Sequence, residues 1–250
     1  ETELSFKKLA SNKKIDFSRY NYFYATYLVN SGKIDQAKKA INSSLKLYPR
    51  NLLLNQYKSD LDDGKYKSNF NCQNQSHVIA EIFYITANAL SSQSIYTFSN
   101  FYLSLAKYLN KNFHSFNTLL AENFYKTDNF TQAKKIYNEM SKQGTAFYWY
   151  VAKQNSKILI KENKKEKALK LLTNAFEKLP TKGIYEIFDY AEFLKNNEKY
   201  EKAIKLYTEI LKKVKDDHPL YPDTADGRGI AYERIGEWEK AEKDFLASLE

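Results

Sequence analysis

The residue types that usually carry acid–base, nucleophilic or metal chemistry are few in this chain. His77, His114 and His218 lie far apart, at or near predicted helix ends or in the loop 215–222, where capping or solvation accounts for them. A metal site would have to gather all three, which is difficult in an array whose repeats touch only their neighbours. Cys72 is alone and forms no intramolecular disulfide. The HExxH, GxSxG, GxxxxGK(S/T) and CxxC patterns are missing. Asp226-Gly227-Arg228-Gly229 has half the form of a phosphate-binding glycine loop, but no strand precedes it and Gly229 has a packing role of its own. Carboxylate pairs such as Glu237 with Glu239, or Asp216 with Asp217, fall on predicted loops and helix starts, where the helix dipole favours acids without any catalysis. No catalytic residue, no metal and no cofactor is therefore expected, and the chain is read as not an enzyme.

Recognition chemistry is better represented. Lys153, Lys157 and Lys161 recur at i, i+4 and i+8, so they stack on one helix face, with the rings of Tyr150, Tyr185 and Phe188 as neighbours. Such a stripe suits an acidic, aromatic-containing segment of a partner protein, drawn in by charge and held by ring burial. A plain solvated lysine face would produce the same spacing. The net charge is +9, yet only Arg19, Arg50, Arg228 and Arg234 are arginines. Lysine without arginine attracts anions unspecifically, so no nucleic-acid partner is expected.

The elements that must hold these residues are helices. Gly (7) and Pro (4) are scarce in 250 residues, which excludes a sandwich or barrel of many short strands, since those need a turn signal every ~8–12 residues. At 43% hydrophobic and 16% aromatic the chain can bury a core, and no apolar run is long enough to span a membrane. A repeat sets the helix register. Ala37, Ala133, Ala168, Ala203 and Ala241 share one phase, and Ser99 takes the same place in a weaker unit. Each is followed four residues later by a large side chain: Ile41, Leu103, Tyr137, Leu172, Tyr207 and Phe245. A preceding helix carries Ala25, Ala87, Ala121, Ala191 or Gly229 at its eighth position. Small residues at fixed places let two helix backbones approach, and the large ones fill the space beside them. Ala37 and Ser99 are 62 residues apart, six short of two periods of 34, so segment 52–79 should hold a degenerate unit.

This pattern resembles the tetratricopeptide repeat (TPR) family. The family's signature is matched by Ala25, Leu28, Gly32, Ala37, Ile41 and Pro49, by Ala168, Leu172, Ala175 and Pro180, and by Gly229, Tyr232, Gly236, Ala241 and Phe245. Ser156 stands where the first helix usually has Gly or Ala. The resemblance implies an all-α, right-handed superhelical solenoid of antiparallel helix pairs, with about seven TPR-like units of which one is degenerate. The expected divisions are 1–17 as the second helix of a preceding unit, units 18–51, 52–79 (degenerate), 80–113, 114–148, 149–183 and 184–221, and a truncated unit 222–250. The order of an irregular first half followed by regular units is also similar to the middle of long multi-TPR proteins of alphaproteobacteria, which implies a bacterial fragment with repeats beyond it.

In stacked helix pairs the first helix of each pair lines the concave side. The inward positions include Arg19, Tyr22 and Thr26; Glu81, Tyr84 and Asn88; Ser115, Thr118 and Glu122; Tyr150, Lys153, Lys157 and Lys161; and Tyr185, Phe188, Glu192 and Lys195. Of these, Tyr22, Tyr84, Asn88, Tyr150, Lys153, Lys157, Lys161, Tyr185 and Phe188 are the candidates for binding a peptide or protein segment, and the expected role is a non-catalytic interaction scaffold. The alternatives are the targeting arm of a larger enzyme, such as a TPR-containing glycosyltransferase, and a bacterial envelope assembly factor. Residues 222–250 carry −4 against +13 on residues 1–221, and helix faces exposed at the fragment ends offer a route to a homodimer. The chain is expected to be soluble, its parent either exported to the periplasm or cytoplasmic.

Overall fold

The helices come in antiparallel pairs, and the first helix of six of them is closed by a turn that recurs with the repeat. The computed structural model describes residues 2–10, 18–66 and 68–249, and among these there are helices and no strands. They divide into two compact units, residues 1–155 and 156–250.

The first unit holds α1 (Thr2–Ala10), α2 (Ser18–Asn30), α3 (Ile34–Leu47), α4 (Leu52–Asp62), α5 (Gln75–Ser92), α6 (Tyr96–Leu109), α7 (Ser115–Lys126), α8 (Phe130–Met140) and the start of α9 (Thr145–Lys161). The pairs α2/α3, α5/α6 and α7/α8 pack as hairpins, and α6 and α5 both pack on α7. The second unit continues from α9 through α10 (Lys165–Glu177), α11 (Ile184–Asn196), α12 (Tyr200–Leu211), α13 (Tyr221–Arg234) and α14 (Trp238–Ser248), with hairpins α11/α12 and α13/α14.

The phased small residues sit where the helices of a pair cross. Ala37, Ser99, Ala133, Ala168, Ala203 and Ala241 are all buried, as are their counterparts Ala25, Ala87, Ala121, Ser156, Ala191 and Gly229. The two serines keep the contact close and satisfy their hydroxyls across it. Ser99 Oγ donates to the Ala87 carbonyl at 2.8 Å and Ser156 Oγ to the Ala168 carbonyl at 3.4 Å. A Cβ on Gly229 would come within 2.8 Å of the Phe245 ring, so this crossing admits no side chain. Leu28, Ile41, Leu103, Tyr137, Leu172 and Tyr207 fill the space alongside, each stabilising its pair by about 1.5–3 kcal/mol.

The turn inside each pair is the same throughout. Gly32, Ser94, Asp128, Asn163, Glu198 and Gly236 have φ of 75°, 63°, 56°, 58°, 62° and 82°, and each stands five residues before the phased small residue. The following amide then reaches back five residues: Lys33 to Leu28, Ile95 to Leu90, Asn129 to Phe124, Lys164 to Leu159, Lys199 to Leu194 and Glu237 to Tyr232. That is the Schellman closure of a helix C-terminus. Gly32 and Gly236 adopt it without strain and Asp128 and Asn163 tolerate it through their short polar side chains, whereas Ser94 and Glu198 hold the left-handed conformation at a cost of about 1–2 kcal/mol each.

Segment 52–79 contains α4 and then a loop before α5 begins at Gln75. Asn51 and Asn74 cap α4 and α5, their side-chain oxygens accepting from Leu54 N and from Ser76 N. Phe70 plugs the loop into the core, its ring 3.9 Å from that of Phe23 and 5.8 Å from that of Phe113. Residues 11–17, which the sequence places in the expected segment 1–17, lie outside the described residues.

Candidate functional site

The first helices of successive pairs in residues 1–155 enclose a cleft of about 260 Å³. Arg19 of α2, Tyr84 and Asn88 of α5, Ser115, Thr118 and Glu122 of α7 and Phe147 of α9 line it, together with Asn51 and Leu53 beside the start of α4. Six of these are inward positions of the repeat register: Arg19, Tyr84, Asn88, Ser115, Thr118 and Glu122. The cleft exists because α5 turns Tyr84 and Asn88, and α7 turns Ser115, Thr118 and Glu122, to the same side, residues three or four apart on one helix face.

Its floor is fixed by an ion pair. Arg19 Nε donates to Glu81 Oε1 at 2.5 Å and Nη2 to Oε2 at 2.7 Å, while Nη1 donates to Ser115 Oγ at 2.6 Å. The guanidinium carbon lies 3.8 Å from the centre of the Tyr84 ring and 5.0 Å from that of Phe113. Burial pulls the Arg19 pKa down, but the attraction of Glu81 and its hydrogen bonds outweigh it, so the net shift is upward and Arg19 stays charged. Arg19 is thus a strut between α2, α5 and α7. On the far wall Tyr150 Oη donates to Glu122 Oε1 at 2.7 Å. Burial first, and then the Glu122 charge, pushes the Tyr150 phenol up, so this hydroxyl keeps its proton.

The predicted site residues fall into distinct settings. Tyr84 is half-buried and Asn88 exposed, both at the cleft. Tyr22 is 4% exposed and belongs to the core, its ring 4.9 Å from Tyr57 and 5.7 Å from Phe113. Burial pushes its phenol up to about 12. It faces a separate hollow of about 60 Å³ shared with Gln56, Asp60 and His114, where burial raises the Asp60 carboxyl and lowers the His114 imidazole. Lys153, Lys157 and Lys161 follow one another along α9, with Lys157 and Lys161 exposed and Lys153 Nζ 5.9 Å from the Trp149 ring. In residues 156–250, Tyr185 is half-buried, 6.3 Å from the His218 ring, whereas Phe188 is buried against Tyr207. Tyr207 also donates to Glu192, which accepts from Lys195 Nζ at 2.7 Å.

Two of the three histidines act as local acceptors. His77 Nδ1 accepts from Asn71 N at 3.0 Å and His218 Nδ1 from Leu220 N at 3.1 Å. Among the described residues no group of three or more His, Cys, Asp or Glu side chains is placed to hold a metal ion, and no helix is long and apolar enough to cross a membrane. The Asp226–Gly229 stretch is helical within α13, and a Cβ on Gly227 would lie 2.8 Å from the Tyr207 ring, so its glycines serve packing.

Two features had no signal in the repeat. Arg19–Glu81 joins residues 62 apart, and Arg228 makes the matching bidentate pair with Asp244, both bonds at 2.7 Å. Two of the four arginines are therefore part-buried ties between helices, each paired with a buried carboxylate, rather than free surface cations. Their scarcity in a lysine-rich chain was the available cue, because planar bidentate pairing is where arginine and lysine do not interchange.

Helix hairpins, a recurring small-residue crossing and a cleft on the first-helix side define a helical-hairpin repeat protein. Scans of the sequence against protein-family models and against the curated proteins find no match. Among solved structures the chain is similar to YrrB, a TPR protein with an unusual peptide-binding site, at 17% identity over 67% of this chain and 83% of that one, with a TM-score of 0.44. It is also similar to the TPR domain of P58(IPK), at 14% identity over 94% of this chain and 74% of that one, with a TM-score of 0.32.

Proposed function

We propose that the chain is a non-catalytic protein-interaction scaffold that receives an extended segment of a partner in the first-helix cleft. The observation that carries this reading is the cleft itself: side chains from α2, α5, α7 and α9 converge on one concave space, and Arg19–Glu81 holds its floor rigid before any ligand arrives. A preformed site spares the ordering cost of binding. Tyr84 offers a ring face, while Asn88 and Thr118 offer donors and acceptors for a peptide backbone. Lys153, Lys157 and Lys161 supply an attraction for acidic residues along α9, which speeds encounter more than it adds affinity. Tyr150 orders the wall through Glu122, Tyr22 supports the floor from the core, and in residues 156–250 the half-buried Tyr185 offers a ring while Phe188 supports α11 from the core.

The test is a peptide-display selection on the chain followed by calorimetry of the recovered peptides. Thr118→Arg, which fills the cleft, and Asn88→Ala should each weaken binding at least about tenfold while leaving the circular dichroism spectrum intact. Lys153→Glu with Lys157→Glu should slow association with acidic peptides. Peptides that bind the parent and Thr118→Arg equally would remove the cleft from the reading.

A further inference from the structure

The α5/α6 hairpin packs on α7 with one face only. Asn123 of α7 bonds to Ser91, Ser99 and Asn100, and the Tyr84 and Phe116 rings meet at 5.6 Å. The opposite face is apolar and uncovered. On α5, Val78, Ile82 and Ile85 form one helical stripe, with Ile82 55% exposed. On α6, Phe98, Phe101 and Tyr108 form another and are 63%, 57% and 73% exposed. In a regular array the second helix of the preceding unit would lie near this face, but among the described residues the next helix after α4 (Leu52–Asp62) is α5 itself (Gln75–Ser92).

We infer that this face is a self-association surface, covered by the same face of a second copy of the chain. Charge is the first argument. Residues 68–106 contain one Asp, Glu, Lys or Arg, which is Glu81, and Arg19 neutralises it. Two copies of a +9 chain repel through their lysines, and residues 68–106 are a stretch where they can meet without opposing any; Lys107 and Lys111 flank the patch only beside Tyr108, with Lys111 Nζ 5.8 Å from its ring. An acidic or basic partner gains nothing from it. Area is the second. The six side chains expose roughly 700 Å², within the range each partner of a stable complex buries. Shape is the third, since a two-fold axis brings identical patches together. The rings of α6 in one copy would then lie over the smaller Val78, Ile82 and Ile85 of α5 in the other, large against small in both halves.

Sedimentation equilibrium of residues 1–250 across the micromolar range tests this independently of the cleft. A reversible dimer is expected, little changed by salt because no ion pair holds it. Ile82→Glu and Phe101→Glu should each weaken it at least about 100-fold, because the two-fold axis introduces every substitution twice. Trp238→Glu, at another exposed apolar position on α14, should leave it unchanged. Phe98→Ser with Phe101→Ser is the milder variant that decides the matter if a glutamate lowers helicity. A monomer throughout the range would overturn the inference and leave the face to a different partner. So would a dimer that ignores the α5/α6 substitutions or is lost in Trp238→Glu.

Discussion

Replacing Arg19 by Met should destabilise residues 1–155 far more than the loss of one surface ion pair would. Glu81 is 6% exposed and has both oxygens on the guanidinium, so removing the cation strands a carboxylate in the interior. Breaking one side of a buried pair costs about 3–5 kcal/mol, whereas removing both charges and filling their volume is often close to neutral. Arg19→Met should therefore lower stability by about 4 kcal/mol, and Arg19→Met/Glu81→Leu should restore most of it. With a urea dependence of about 2 kcal/mol per M, the single variant's midpoint falls by about 2 M. Fluorescence can follow the relevant unit alone: the chain has two tryptophans, with Trp149 buried in residues 1–155 and Trp238 exposed in residues 156–250, so a Trp238→Phe background makes Trp149 the reporter. The Arg19–Tyr84 contact adds a cation–π loss of about 1–2 kcal/mol that the double variant does not recover. A single variant within about 0.5 kcal/mol of the parent, the scale of an exposed pair, would refute the reasoning. So would a double variant as weak as the single, which would make packing and not the stranded charge the cause.

Glu198→Gly and Ser94→Gly should each stabilise their pair by about 0.5–1 kcal/mol, because glycine relieves the left-handed strain at some cost in unfolded-chain entropy; thermal melts in which neither rises would contradict that. Ala203→Glu should have the opposite effect by several kcal/mol, since it drives a carboxylate into a fully buried crossing, and a melting temperature within error of the parent would mean the register is misplaced. Burial lowers the pKa of both His77 and His114. The unfolded chain thus binds protons more readily, and their contribution, complete above pH ~6.5, is lost as pH falls through the lower folded values. Denaturation midpoints should drop between about pH 7 and 5, and His77→Gln with His114→Gln should flatten that slope.

The parts of the fold that repeat were readable from the sequence, because periodic packing writes itself into the residues at each crossing. Ala37, Ala133, Ala168, Ala203 and Ala241 are small for one reason met five times, and the register they set also places Tyr84, Asn88, Thr118 and Glu122 around a common space. Gly32 and Gly236 mark the turn inside a pair, yet Ser94, Asp128, Asn163 and Glu198 occupy the same conformation with side chains that carry little signal of it. Their common spacing from the small residue would have revealed them.

What happens once is harder to read. The Arg19–Glu81 tie spans 62 residues and has no counterpart at the same phase, so periodicity does not register it. Tyr22 sits at an inward position by register but is buried, because α4 packs on α2 and brings Tyr57 against its ring. Both exceptions fall where the array is irregular, next to the loop that follows α4. The uncharged α5/α6 face falls there as well. In a regular array each helix pair is covered by its neighbours, so a departure from the repeat leaves a surface whose chemistry the repeat no longer dictates. That surface can become a binding face only if its residues suit a new neighbour, and across residues 68–106 the near-absence of charge, with Glu81 already paired, meets that condition.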